Sequence, residues 1–205
     1  FFAINTGTLT ESEAISLMPI LFYAPWGLFV TLAGYFADRF SKRYSLVFWK
    51  FAEVAITGLA LLGFYLGPQP GTAHVGSWIV LSTVFLMGTH SAFFVPAKYG
   101  VMPEILQPHL LSKGNGILES LSFLAVILGT MSGGVLSFLF YGKETVIGVI
   151  LLSLAVFGAL VSLLIRKMPA ANPTLKFPSY IYGPLRKNLR IMFSSRPLVF
   201  AVVGI

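Results

Sequence analysis

The chain has 205 residues, 56% of them hydrophobic and only 10% charged, with a mean hydropathy of +0.84. About a quarter of the residues of a soluble domain are charged, so these values exclude an ordinary soluble domain. The formal net charge of +7 suggests nucleic acid only until its placement is read, and the lack of cysteine removes disulfide and thiol chemistry.

A membrane span needs roughly 20 mainly apolar residues. Uncharged windows cover 14–37, 54–97, 120–142 and 145–165. They predict helices at about 15–38, 44–66, 76–99, 114–140 and 145–165. Open strands would leave backbone groups unsatisfied in lipid, and the alternation of a membrane barrel is absent. The expected fold is an all-α membrane bundle of about five complete transmembrane helices, with partial helices at both ends. The chain opens at Phe1 as if in the tail of an earlier span and stops within Pro197–Ile205 as if entering another.

Residues 5–14 read as a polar external loop, and Gly67-Pro68-Gln69-Pro70-Gly71 as an external turn. Pro103, Glu104, Gln107 and Pro108 bracket a cytoplasmic turn at 100–113, with Ser112 expected to cap the next helix. The tract 167–196 differs in kind, containing Pro169, Pro173, Pro178 and Pro184 among many bases. Within it Ile181, Leu185, Leu189 and Met192 recur at helical spacing, while Arg186, Lys187 and Arg190 face elsewhere. That pattern predicts a basic amphipathic helix on the cytoplasmic leaflet; an ordinary linker of helical character is the alternative. The expected division is a bundle over 1–165, a cytoplasmic linker over 166–196 and the start of a further span over 197–205.

Thirteen of the 14 Lys and Arg fall at 39–50, 98–113 and 166–196, and Lys143 alone falls on the opposite side. The positive-inside rule explains this better than nucleic-acid binding and makes those loops cytoplasmic.

Catalytic signatures are missing. His74, His90 and His109 lie far apart with no cysteine partners, which argues against a metal site. No phosphate-binding glycine loop or nucleophile elbow occurs, so neither cofactor nor nucleotide is expected. Charges inside spans are more informative, because charge in lipid is costly and faces a cavity or a partner. Glu53 lies about nine residues into its helix, roughly 13 Å deep. Glu119 lies about two turns into its own, and Lys98 ends the helix descending to the cytoplasm. All three lie in the cytoplasmic half, where Lys98 is within geometric reach of one of the acids. A lysine there can hold a phosphate as a compact cation; a structural ion pair or snorkelling is the competing reading. His90 reads as a packed residue. Gly129, Gly133 and Gly134 offer a small-residue face for helix packing, and Pro19, Pro25 and Pro96 free carbonyls within their helices.

In the run Gly34-Tyr35-Phe36-Ala37-Asp38-Arg39-Phe40-Ser41-Lys42-Arg43, one acid and three bases follow 24 uncharged residues, 14–37. It resembles the loop signature between the second and third helices of the major facilitator superfamily, with Ser41 where the family pattern prefers Gly. The resemblance implies that Gly34, Asp38, Arg39, Lys42 and Arg43 form a cytoplasmic latch, with Asp38 placed to meet a helix N-terminus of the other half. It also maps the chain onto the end of helix 1, helices 2–6, the central linker and the start of helix 7. Gly129-x-x-x-Gly133-Gly134 is similar to the family's helix-5 motif but lacks its Pro, and so says little about antiport.

A narrower resemblance rests on Phe93-Phe94-Val95-Pro96-Ala97-Lys98-Tyr99-Gly100-Val101-Met102-Pro103-Glu104 and on Gly114-Asn115-Gly116-Ile117-Leu118-Glu119. Together these are similar to the lysophospholipid transporter branch, including members fused to an acyltransferase and an acyl-carrier-protein synthetase. The resemblance implies inward movement of lysophosphatidylethanolamine-like lipids across the bacterial inner membrane, by alternating access and without chemistry in these helices. Lys98 would attract the lipid phosphate, with Glu53 and Glu119 holding it or engaging the headgroup amine. The usual superfamily Arg of helix 4 has no clear equivalent, Lys98 being the base on that helix. The expected partners are the lysophospholipid, membrane lipids and a fused or associated acyltransferase. A drug or metabolite antiporter, the membrane part of a fused enzyme and a non-transporting scaffold remain alternatives.

Overall fold

Thr10 sets the start of the first long helix. Its Oγ1 accepts from the Glu13 amide at 3.3 Å, and the Glu13 carboxylate accepts from the Thr10 amide at 2.8 Å. This reciprocal cap satisfies two otherwise orphaned donors. The helix therefore begins at Glu11, not near 15, and the polar stretch expected as loop over 5–14 shrinks to a short turn.

The computed structural model describes residues 2–177, 183–194 and 199–200. Its α-helices are α1 (Phe2–Asn5), α2 (Glu11–Arg39), α3 (Lys42–Leu66), α4 (Ala73–Gly100), α5 (Met102–Ile105), α6 (Leu111–Leu139), α7 (Glu144–Ser162) and α8 (Gly183–Ser194). Among the described residues there is no strand. Five helical stretches, at α2, α3, α4–α5, α6 and α7, are long and apolar enough to cross a membrane. They coincide with the five expected spans to within a few residues.

Two boundaries differ for local reasons. The turn at 100–113 is itself helical, holding α5 and a 3₁₀ turn at Pro108–Leu110 that runs straight into α6. Leu110 occupies the cap position, its amide bonded to the Gln107 carbonyl at 2.9 Å, so Ser112 lies inside the helix and caps nothing. Helices α2 and α4 remain helical through Pro19, Pro25 and Pro96.

Helix α4 is the spine of the bundle, packing along both α2 and α3, while α3 also packs on α7. The close approaches rest on glycines that the motif reading did not single out. A Cβ on Gly88 would run into the Phe22 carbonyl of α2, and one on Gly76 would lie 2.6 Å from the Gly63 carbonyl of α3. At these two positions any side chain would push the helices apart.

Helix α6 stands apart and has no buried residue. Gly129, Gly133 and Gly134, expected to pack against another helix, have nothing within 4 Å of a built Cβ among the described residues. Beyond α7 the chain continues without regular helix to residue 177, and α8 covers most of the expected amphipathic segment. Ile181 of that segment, and all but residues 199 and 200 of the expected opening span, lie outside the described residues.

Candidate functional site

The charged loop between α2 and α3 is heavily bonded. Its side chains reach the stretch that follows α7. Arg39 donates to the Leu175 carbonyl, Ser41 Oγ to the Met168 carbonyl at 2.6 Å, and Arg43 Nε to the Ile165 carbonyl at 2.6 Å. A second Arg43 nitrogen donates to the Leu163 carbonyl at 3.3 Å, at the C-terminus of α7. A cation at a helix C-terminus is favoured by the helix dipole. The contact runs both ways, since the Asn172 amide donates to the Asp38 carbonyl at 3.0 Å. Tyr35 adds a hydroxyl bond to Leu175 and an edge-on ring contact with Phe177 at 5.2 Å.

Lys42 turns the other way. Its Nζ lies 2.7 Å from Glu104 Oε1, with the lysine side chain 5% and the glutamate 23% exposed. The pair joins the start of α3 to α5. Gly100 leaves room for it, because a Cβ there would strike the Lys42 stem at 2.5 Å. Asp38 is exposed, and its carboxylate makes no hydrogen bond or ion pair among the described residues. Gly34 faces open space. Ser41, the departure from the family pattern, uses its hydroxyl in the clasp.

The second grouping lies between the last turn of α4 and α6. Lys98 Nζ donates to Ser122 Oγ at 2.6 Å, and Ser122 passes its own hydrogen to the Leu118 carbonyl at 2.6 Å. The ammonium thus meets a hydroxyl lone pair and no carboxylate among the described residues. Tyr99 OH donates to Glu119 Oε2. Lys98 and Tyr99 are adjacent, and Glu119 and Ser122 lie three apart on one face of α6. Two polar bonds therefore link these otherwise separated helices, and a cation and an anion sit side by side at the seam.

The third grouping corrects an expectation. Glu53 neither holds Lys98 nor stands free: Lys50 Nζ lies 2.7 Å from its Oε2, and His90 Nε2 lies 3.7 Å from the same oxygen. Lys50 is one turn away on the same helix, so its reach to Glu53 is short and fixed. Lys98 lies eight residues, about 12 Å, beyond His90 along α4. The structure therefore separates the two acids expected to act together, Glu119 beside Lys98 and Glu53 with Lys50 and His90.

Lys50, Ser122, Tyr99 and the Lys42–Glu104 pairing were missed from sequence. Lys50 carried a usable signal, an acid three residues on, but read as part of the basic loop. Ser122 and Tyr99 carried none, because hydroxyls are common in spans. Among the described residues no group of His, Asp and Glu forms a metal site. What the α4–α6 seam offers is a cation and an acid set side by side.

The profile of the Major Facilitator Superfamily matches residues 2–205. The lysophospholipid transporter LplT of Cronobacter sakazakii is 31% identical over 193 residues, 92% of this chain and 43% of the relative. The protein of the same name from Klebsiella pneumoniae is 31% identical over 161 residues, 77% of this chain and 35% of the relative. That from Escherichia coli O1:K1 is 28% identical over 158 residues, again 77% of this chain and 35% of the relative. The chain thus spans less than half the length of these curated relatives. No solved structure matches it. Five apolar spans, with bacterial transporters as relatives, make it a multi-pass protein of the bacterial inner membrane. By fold, by loop signature and by a match along nearly its whole length, the chain belongs to the Major Facilitator Superfamily.

Proposed function

We propose that the chain is part of a secondary transporter that carries a lysophospholipid of the lysophosphatidylethanolamine kind across the inner membrane by alternating access. One observation carries the reading to this lipid class. The Lys98 ammonium, at the α4–α6 seam, is bonded to a neutral hydroxyl, with the acid Glu119 one turn away from that hydroxyl. A phosphate next to a primary ammonium has the complementary charge order. Lys98 takes the phosphate as a compact cation, and Glu119, oriented by Tyr99, takes the amine. Glu53 has the different duty of neutralising Lys50. The relatives named lysophospholipid transporter support the same class.

The loop Gly34–Arg43 serves as the cytoplasmic latch, gripping the start of the linker over 166–196 while α8 rests on the leaflet surface. Asp38 stays available for the remainder of the transporter. These helices break and make no covalent bonds. Re-acylation of the delivered lysolipid belongs to an acyltransferase, fused or separate.

The test is uptake of labelled lysophosphatidylethanolamine by vesicles holding the full-length protein. Lys98→Ala should lower uptake roughly tenfold or more, the equivalent of losing one charge-assisted hydrogen bond. Unchanged uptake by the folded variant removes Lys98 from the site. Saturable transport of an unrelated drug, without competition by lysolipid, favours the antiporter reading instead.

A further inference from the structure

At the end of the bundle away from the Lys42–Glu104 pair, three connections meet around a cavity of about 360 Å³. That is within the range of small-ligand sites, roughly 300–1,000 Å³. Phe2, Asn5 and Thr6 line it from α1 and the residue after it, Pro68 from the α3–α4 turn, and Tyr141 and Glu144 from the α6–α7 junction. The transport reading gives this cavity no task.

Its walls are held from behind. Thr6 Oγ1 is bonded to Ser77 Oγ, fully buried in α4, and Thr8 Oγ1 meets His74 Nδ1 at 3.3 Å. The Phe2 ring stands edge-on to Phe64 at 5.0 Å and close against the Gly67 backbone. The Thr145 hydroxyl donates to the Phe64 carbonyl at 3.4 Å, tying the start of α7 to α3. Across the turn the Gly142 amide donates to Glu144 Oε1 at 3.2 Å. Glu144 Oε2 makes no hydrogen bond or ion pair among the described residues.

The nearby charges leave this carboxylate uncompensated. Lys143 adjoins it in the chain but forms no ion pair among the described residues, and side chains one apart at a helix start do not face each other. Glu11 and Glu13 have the same sign, Glu13 being used in the Thr10 cap, and His74 is engaged by Thr8. A calcium or magnesium ion takes six or more oxygen ligands, and the described residues hold no metal-binding group. A single carboxylate in a cavity with aromatic walls suits an alkylammonium instead. The oxygen accepts its N–H donors, and the ring faces attract the cation.

We propose that this cavity binds the ammonium of an ethanolamine headgroup, as an outer docking site for the lysolipid ahead of the Lys98–Glu119 seam. Thirteen of the 14 Lys and Arg lie toward the other end, which puts the cavity outside. It sits where α3 and α6 end and α4 and α7 begin, the level at which headgroups lie in a membrane. Glu144 Oε2 takes the ammonium beside the Tyr141 and Phe2 rings. Lys143, exposed and one residue away, supplies a cation for the adjoining phosphate. The pair Lys143–Glu144 thus presents the same charges to a zwitterionic head as Lys98 and Glu119.

The inference takes its substrate from the transport reading, and the experiment separates the two. In the full-length protein, with any cysteine elsewhere replaced by Ser, Asn5→Cys puts a thiol on the cavity wall. Its labelling by a water-soluble maleimide is timed in nanodiscs and needs no flux. Lysophosphatidylethanolamine should slow the labelling several-fold, and lysophosphatidylglycerol much less. Equal slowing by both lipids overturns the ammonium site. Glycerophosphoethanolamine, the same head without an acyl chain, separates the two sources of the amine. Protection by it as well assigns the site to the head alone, and protection by the lysolipid only assigns it to a membrane-borne head. Protection by neither overturns the proposal. Glu144→Gln keeps an acceptor for the Gly142 amide and removes the charge. It should abolish the protection and raise the KM for lysophosphatidylethanolamine uptake about tenfold with kcat kept, the loss of one charge-assisted hydrogen bond. Undiminished protection in Glu144→Gln, or an unchanged KM, also overturns the proposal. A thiol protected as expected in a protein that moves no lysolipid overturns the transport reading instead and leaves the ammonium site standing.

Discussion

Lys42 and Glu104 lie 62 positions apart in the chain, yet their charged atoms meet at 2.7 Å where the start of α3 meets α5. The lysine is nearly sealed, at 5% exposure, by the turn around Gly100. Removing one partner of a buried pair leaves an uncompensated charge and costs about 3–5 kcal/mol. Glu104 keeps 23% exposure, so water offsets part of this. Glu104→Gln should therefore destabilise the protein by an amount at or below the lower end of that range. The double variant Lys42→Met/Glu104→Gln should recover much of the loss, because no buried charge is stranded. Thermal unfolding in detergent checks both.

The clasp between the loop and the stretch after α7 predicts a change in protease access. Ser41→Gly restores the residue the family pattern prefers and deletes the bond to Met168, worth about 1 kcal/mol. Arg43→Gln deletes two bonds and a charge at the end of α7. Limited trypsin digestion at Arg166 and Lys167 should speed up about fivefold in the first variant and more in the second. Equal rates in all three proteins would show that the clasp does not restrain that segment.

At the α4–α6 seam, Ser122→Ala removes the acceptor that aims Lys98. Apparent affinity for lysophosphatidylethanolamine should fall by about fivefold, with the maximal rate largely kept, as expected for the loss of one hydrogen bond. Glu119→Gln should act on selectivity. It should reduce uptake of the amine-bearing lysolipid while sparing lysophosphatidylglycerol, which presents no amine. Competition between the two lipids in vesicles measures the ratio.

The glycines make an opposed pair of predictions. Gly88→Ala drives a methyl into the Phe22 carbonyl and should cost about 1–3 kcal/mol. Gly27→Ala meets nothing within 4 Å and should be neutral, or stabilising by up to about 1 kcal/mol through helix propensity. Melting temperatures of the two variants should move in different directions, or only the first should move.

Five spans and the charged loop were legible in the residues themselves. Burying about 20 apolar residues in lipid is a one-dimensional requirement, and loop charge sets orientation without any tertiary contact. The sequence by itself also determined that Lys98, Glu53, Glu119 and His90 are costly residues within apolar segments. Only the tertiary structure decided which of them meet. Glu53 went to Lys50 and His90, Glu119 to Tyr99, Lys98 to Ser122 and Lys42 to Glu104. Apart from the Lys50–Glu53 pair, which lies within one helix, each choice depends on how one helix is rotated and shifted against the next, and a few ångströms of either would exchange the partners. That rotation is set by contacts such as Gly88 against Phe22 and Gly76 against Gly63, which no periodicity in a uniformly apolar span reveals.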